Sequence, residues 1–364
     1  MRKNKIIDGD LQYIYDQLSQ DERKKFKDST VLITGCAGFL GYYFLLFLSR
    51  FSSVLGIKKI IGLDNFLVSS PDWINELVKE SDCLSLHKFD IIVDDISDIS
   101  AAEEATIVIH LASVASPPFY RKYPIETIDA NVTGLRKLIE FYKDKSLRSC
   151  LFFSSSEIYG DPFPEYIPTK ESYRGNVATM GPRACYDEAK RFGETLCYIF
   201  HHEYNIPITI ARPFNNFGPG MNLHDKRLPS DLAKSVFDNE DIILFSDGQA
   251  TRTFCYISDA ILGYLKVLLY DQFDVFNIGQ DQPEMPVKEF ANLFCKGAKG
   301  IFNYDISIQR QTSEDQKYLT DNPNRRCPDI TKAKSLLNYC PSISVEDGIN
   351  RYLEFIKIYD GKLL

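Results

Sequence analysis

Residues 30–41 read Thr30-Val31-Leu32-Ile33-Thr34-Gly35-Cys36-Ala37-Gly38-Phe39-Leu40-Gly41, and an apolar run continues from Phe39 to Leu48. A β-rich run, three glycines spaced G-x-x-G-x-x-G and an apolar helix make a strand–turn–helix unit. Small residues let the backbone turn sharply and approach a pyrophosphate, while the helix N-terminus offers amide donors and its positive dipole end. A lone glycine triplet marks only a tight turn; its place between strand and helix gives it meaning. Asp64 ends the next run, Lys59–Asp64, 23 residues after Gly41. A carboxylate there can accept from adenosine ribose hydroxyls and would repel a 2′-phosphate, so the pattern favours NAD over NADP. Asp90-Ile91, after a third run, is a candidate neighbour of the adenine.

Strand and helix signals alternate outward from this unit. Further strands are expected at Leu84–Phe89, Thr106–Leu111, Ser149–Ser154 and Ile208–Ala211, with helices over 125–144 and from Arg183 to Tyr204. Buried strands separated by helices imply an α/β fold, a doubly wound parallel sheet of Rossmann type. After Asn215 the pattern loosens into loops rich in Gly, Pro and Asp, with short strands at Ile242–Phe245 and Asp274–Ile278 and helices near 286–295 and 345–357. This part reads as a smaller, discontinuous substrate lobe, giving a division into 1–28, 29–213 and 214–364. Residues 7–26 carry Ile7, Leu11, Ile14, Tyr15 and Leu18 at helical spacing, an amphipathic N-terminal helix.

The 364 residues carry a net charge of −8, which disfavours a nucleic-acid partner. Nine cysteines without a Cys-x-x-Cys pair argue against a disulfide framework or zinc ribbon and for reduced thiols in a cytoplasm. The first ten residues lack the apolar core of a signal peptide, and Phe39–Leu48 is too short to span a bilayer. No membrane partner is expected.

Tyr186 and Lys190 form Y-x-x-x-K at the start of a helix, placing both on one face. A nearby ammonium lowers a phenol pKa, so Tyr186 can take and return a hydroxyl proton near neutral pH. The lysine can also hold the nicotinamide ribose. Ser154-Ser155-Ser156-Glu157 ends a strand about 30 residues upstream, where a hydroxyl can share the substrate oxygen with the tyrosine.

With these residues the chain resembles the extended short-chain dehydrogenase/reductase family of nucleotide-sugar enzymes from about residue 29 to its C-terminus. The carriers are the 34–41 turn, His110-Leu111-Ala112, Tyr186-x-x-x-Lys190, Asn215 within Arg212-Pro213-Phe214-Asn215-Asn216-Phe217-Gly218-Pro219, and Arg252-Thr253-Phe254-Cys255-Tyr256-Ile257-Ser258-Asp259. The resemblance implies a homodimer, formed through helices that include 125–144 and 183–204. It implies cofactor contacts at Gly35, Gly38, Phe39, Leu40, Gly41, Asp64, Asn65, Asp90, Ile91, Leu111 and Ala112, besides Tyr186 and Lys190. Epimerase, dehydratase and decarboxylase all remain open at this level.

Ser156-Glu157 resembles the Ser-Glu of UDP-glucuronate decarboxylases and of GDP-mannose 4,6-dehydratases. Residues 110–120, Gly175-Asn176, Gly181–Arg191 and Arg325-Arg326-Cys327-Pro328-Asp329-Ile330 are similar to the decarboxylase branch. That branch implies UDP-glucuronate as substrate, held by Ser113, Pro117, Tyr120, Glu157, Arg183, Asn215, Arg252 and Arg326. Tyr186, Lys190, Ser156, Glu157 and Ser155 would then carry the chemistry, with Glu157 or a water it orients protonating C5. The chain departs from the branch at Cys36, at Tyr42-Tyr43, at Leu67-Val68-Ser69-Ser70, at Gly220, where Arg is usual, and at Cys327.

Overall fold

The computed structural model describes residues 4–68, 70–312, 320 and 322–359. Its centre is a seven-stranded sheet: β1 (Thr30–Thr34), β2 (Lys59–Asp64), β3 (Leu84–Lys88), β4 (Ile107–His110), β5 (Ser149–Phe153), β6 (Ile208–Pro213) and β7 (Val275–Ile278). The order is β7-β6-β5-β4-β1-β2-β3, parallel throughout. The winding reverses between β1 and β4, so a crevice opens above their carboxyl ends, the usual place for a ligand in such sheets. β1 is buried along its whole length because helices cover both faces. Side chains alternate: Val31 and Ile33 join the core under helices Phe39–Leu55 and Ile257–Leu268, whereas Leu32 joins the core with Leu138 and Leu196.

The chain differs from the expected elements in several places. The helix over 125–144 is instead Pro124–Asp129, a π-turn at Ala130–Gly134, and Leu135–Tyr142. The N-terminal helix is Lys5–Gln17, and Ser19 with Glu22 forms a capping box that starts a second helix, Gln20–Lys24. The strand read at 274–278 with the substrate lobe is β7 of the main sheet, paired with β6. Helices Asp72–Glu80, Leu228–Asp238 and Ile257–Leu268 were not anticipated.

The N-terminal helix is part of the core. Asp10 is fully buried and accepts from Tyr43 Oη at 2.9 Å, Tyr256 Oη at 2.7 Å and Arg351 Nη1 at 3.0 Å. One carboxylate thereby joins helix Phe39–Leu55, the second lobe and the last helix, Val345–Tyr359. This explains the departure at Tyr43, whose hydroxyl is a partner of Asp10.

The second lobe is pinned by short strands. Thr251–Arg252 pairs with Met285–Pro286 and with Arg325–Arg326, and the register sets Arg326 opposite Arg252. Among the described residues no helix is long and apolar enough to cross a membrane.

Candidate active site

A cleft of about 1520 Å³ runs from the glycine turn to the second lobe. That is more than one drug-sized ligand needs and leaves room for two. Every residue expected to touch cofactor or substrate lines it. Gly35, Gly38, Phe39, Leu40, Gly41, Asp64, Asn65, Asp90, Ile91, Leu111 and Ala112 form the end over the sheet. Ser113, Pro117, Tyr120, Ser155, Ser156, Glu157, Arg183, Tyr186, Lys190, Asn215, Arg252 and Arg326 form the wall shared by the lobes. Of Leu67–Ser70, Ser69 lies outside the described residues; Leu67 and Val68 line the cleft and are exposed.

The turn after β1 is tight for stated reasons. Gly35 has φ +68°, and a β-carbon there would lie 2.6 Å from the Ala112 amide nitrogen. A β-carbon at Gly41 would lie 2.3 Å from the Cys36 carbonyl oxygen. Gly38 gives the following helix no side-chain cap, so its first amides are left for a ligand in the cleft. Asp64 accepts from the Ala37 and Phe66 amides at 2.9 and 2.8 Å, and burial pushes its carboxyl pKa up. It therefore braces the turn and also presents its carboxylate edge at the end of β2. Asn65 donates to Asp90 at 3.1 Å, linking the ends of β2 and β3. An uncapped helix start, a close-packed glycine turn and an acid at the second strand fit a dinucleotide.

Tyr186 is buried, with its ring stacked on Tyr120 at 5.2 Å and 14°. Burial pushes the Tyr186 phenol up to about 12, against a hydrogen bond with Ser155 that acts downward. The expected lowering by Lys190 is not what this arrangement gives. Lys190 donates to the Phe153 carbonyl at 2.6 Å, and burial pushes its own pKa down to about 7. Desolvation outweighs the charge–charge effect for both groups.

Glu157 sits in a short helical turn after β5, where two arginines clasp it. Arg326 donates through both terminal nitrogens, Nη2 at 2.6 Å, and Arg183 donates to the same carboxylate. Burial alone would raise the Glu157 pKa, but the two guanidiniums hold it at about 2. A carboxylate held this way is ionised near neutral pH. Arg252 completes the cluster. It donates to the Thr251, Pro323 and Asn324 carbonyls, and among the described residues no carboxylate pairs with it. Burial, reinforced by the Arg326 charge, lowers its pKa to about 9. Arg183 also faces Asp187, its Nε 3.7 Å from Oδ2, so three guanidiniums stand against two carboxylates and leave one surplus positive charge, an anion-binding wall.

Some residues that line or brace the cleft were not read from the sequence. Asn131, in the π-turn, donates to Ser113 Oγ at 2.9 Å and to the Thr127 carbonyl at 2.7 Å. The Asn-x-x-Gly of residues 131–134, with Gly134 against Ile91, was the available signal. Arg227 approaches Tyr186 electrostatically and stands over the Phe39 ring at 5.9 Å. No sequence signal singled it out.

Residues 31–279 match the profile of the NAD dependent epimerase/dehydratase family. The chain belongs to that family. NAD is its cofactor, as the turn and Asp64 anticipate. The family is the one the sequence motifs resemble. Among its relatives is UDP-glucuronic acid decarboxylase 6 of Arabidopsis thaliana, 34% identical over 319 residues, 88% of this chain and 86% of that one. UDP-glucuronic acid decarboxylase 1 of Xenopus tropicalis is 33% identical over 342 residues, 93% of this chain and 74% of that one. In fold the chain is similar to the Bacillus cereus UDP-glucuronic acid 4-epimerase solved with UDP-glucuronic acid and NAD. That likeness has a TM-score of 0.75 at 24% identity and covers 91% of this chain and 99% of that one.

Proposed function

We propose that this enzyme converts UDP-glucuronate to UDP-xylose by decarboxylation. The observation that carries the reading is the surplus positive wall of Arg183, Arg252 and Arg326 beside Tyr186, in a chain whose curated relatives are named UDP-glucuronic acid decarboxylases. Bound NAD would supply the reversible hydride acceptor that makes the C4 alcohol a ketone and then restores it. Gly35, Gly38 and Gly41 would lie against its pyrophosphate, Asp64 against its adenosine ribose, and Lys190 against its other ribose. The protein's own groups do the rest. Tyr186 would remove and return the C4 hydroxyl proton once the positive charge of bound NAD beside it favours the phenolate that burial alone disfavours, and Ser155 and Ser156 would hydrogen-bond the same oxygen. A C4 ketone makes the sugar a β-keto acid, so loss of CO₂ leaves an enolate whose oxygen Tyr186 and Ser156 stabilise. The arginines hold the diphosphate or the sugar carboxylate, and a water beside Glu157 gives the proton to C5.

We also place the enzyme in the cytoplasm, supported by nine free cysteines, and read it as a homodimer. Ile125, Ile128, Phe192 and Ile199 are exposed on the packed helices Pro124–Asp129 and Ala184–Tyr204, a face suited to a second copy.

Mass spectrometry of UDP-glucuronate incubated with the full chain and NAD⁺ tests the function. A pentose nucleotide supports decarboxylation, loss of water points to a dehydratase, and unchanged mass with an altered sugar points to an epimerase.

A further inference from the structure

Lys190 and Glu194 are one helical turn apart and grip consecutive residues of the strand end that carries the serines. Lys190 donates to the Phe153 carbonyl at 2.6 Å, and Glu194 accepts from Ser154 Oγ at 2.5 Å. Glu194 also takes two hydrogen bonds from Arg212, Nε at 2.8 Å and Nη2 at 2.6 Å. Arg212 in turn donates to Tyr159 Oη at 2.6 Å, and Tyr159 donates to Asn277 Oδ1 at 2.7 Å. Asn277 then donates to the carbonyls of Thr169 and Asp329, at 2.9 and 3.1 Å. Asp329 is three residues from Arg326. The chain of bonds therefore connects the serine strand end with the segment that clasps Glu157.

We propose that Glu194 is a positioning residue of the reaction, holding the Ser155-Ser156 strand end through Ser154 and serving as the half-buried counter-charge of the Lys190 ammonium. This deepens the reading above, because a charged Lys190 matters to a site in which Tyr186 exchanges a proton.

The groups facing Lys190 support the assignment. From its own helix come Tyr186, whose ring centroid is 5.7 Å from Nζ, together with Glu194 and Cys197. From β4 comes His110, which burial holds neutral at about 3, with the Lys190 charge acting the same way. From β5 comes the Phe152 ring at 5.2 Å. Burial pushes Lys190 down, and only Cys197 and Glu194 act upward. Burial also holds the Cys197 thiol well above its ordinary value, so it is uncharged at neutral pH. Glu194, although it also pairs with Arg212, is then the charged group that favours the ammonium.

The test titrates Lys190 directly, without substrate. Full-length protein labelled with [ε-¹³C]lysine is followed from pH 5 to 9, and the Lys190 signal is assigned by its loss in Lys190→Met. The expected result is that Glu194→Gln lowers the midpoint by about one pH unit or more, a tenfold change in the ionisation constant. An unchanged midpoint would overturn the proposal. Should Glu194→Gln fold poorly because Arg212 loses its partner, Glu194→Gln/Arg212→Met removes both charges. A lowered midpoint in that variant supports the proposal; a wild-type midpoint would show that Glu194 only balances Arg212 and would overturn it. Because no substrate enters this titration, its failure is separate from failure of the decarboxylase reading.

Discussion

Tyr42 and Gly220 share one space. Gly220 has φ +88°, and a β-carbon there would lie 2.4 Å from Cδ1 of the Tyr42 ring, which packs edge-on to Trp73 at 4.7 Å. Two departures from the decarboxylase pattern, a tyrosine after the glycine turn and a glycine in place of arginine, are thus one compensated feature. Gly220→Arg should cost roughly 2–5 kcal/mol through overpacking and a strained backbone. In a urea-unfolding cycle with Tyr42→Ser, the pair should show a coupling of at least about 1 kcal/mol. Additive effects would contradict the shared space.

Glu157 should shape the acid limb of stability. Its folded pKa, about 2, lies below the ordinary glutamate value of 4.5, so the folded protein binds fewer protons there than the unfolded chain. The stabilisation is complete above the unfolded value and is lost as pH falls from about 4.5 through about 2. Glu157→Gln should lack that slope. It should also cost about 3 kcal/mol at pH 7, because Arg326 loses its largely buried counter-charge and Arg183 keeps only Asp187. Denaturant unfolding across this window reads both effects.

Asp10 works in the opposite sense. Burial raises its pKa from 3.8 to about 6, so its ionisation disfavours the folded state as pH rises through that interval. Asp10→Asn should gain stability relative to wild type between pH 4 and 6. Asp10→Ala should instead lose roughly 2–4 kcal/mol, since the Tyr43 and Tyr256 hydroxyls are left buried without an acceptor. Limited proteolysis of Asp10→Ala should then release the N-terminal helices early.

Tyr186→Phe should keep the fold and NAD binding while kcat falls by about 10²–10⁴, the usual range for a lost proton-transfer group. The deficit should appear in kcat more than in KM, measured by following the nucleotide-sugar product.

Short-range pattern was legible wherever one element explains itself. β1 and β2 have the boundaries expected from their β-rich runs, and the glycine turn and Asp64 stand as the motif requires. The helix Ile257–Leu268 gave no periodic signal because all twelve of its residues are buried. The break at Ala130–Gly134 was hidden because it serves Asn131, whose partner Ser113 belongs to a different loop. The helix Leu228–Asp238 carried readable signals, Pro229 in its first turn and Asn239 in left-handed conformation after it. The ionisation of the site was not legible. Glu157 is held by Arg326, 169 residues away, and the Tyr186 phenol is governed by burial that only the packed molecule reveals.

Release of labelled CO₂ from UDP-glucuronate carrying ¹³C in its carboxyl group, with the full chain and NAD⁺, tests the central claim most directly. The account predicts label release matched by UDP-xylose, with no net accumulation of NADH. Retention of the label in the sugar while NAD is bound would contradict it.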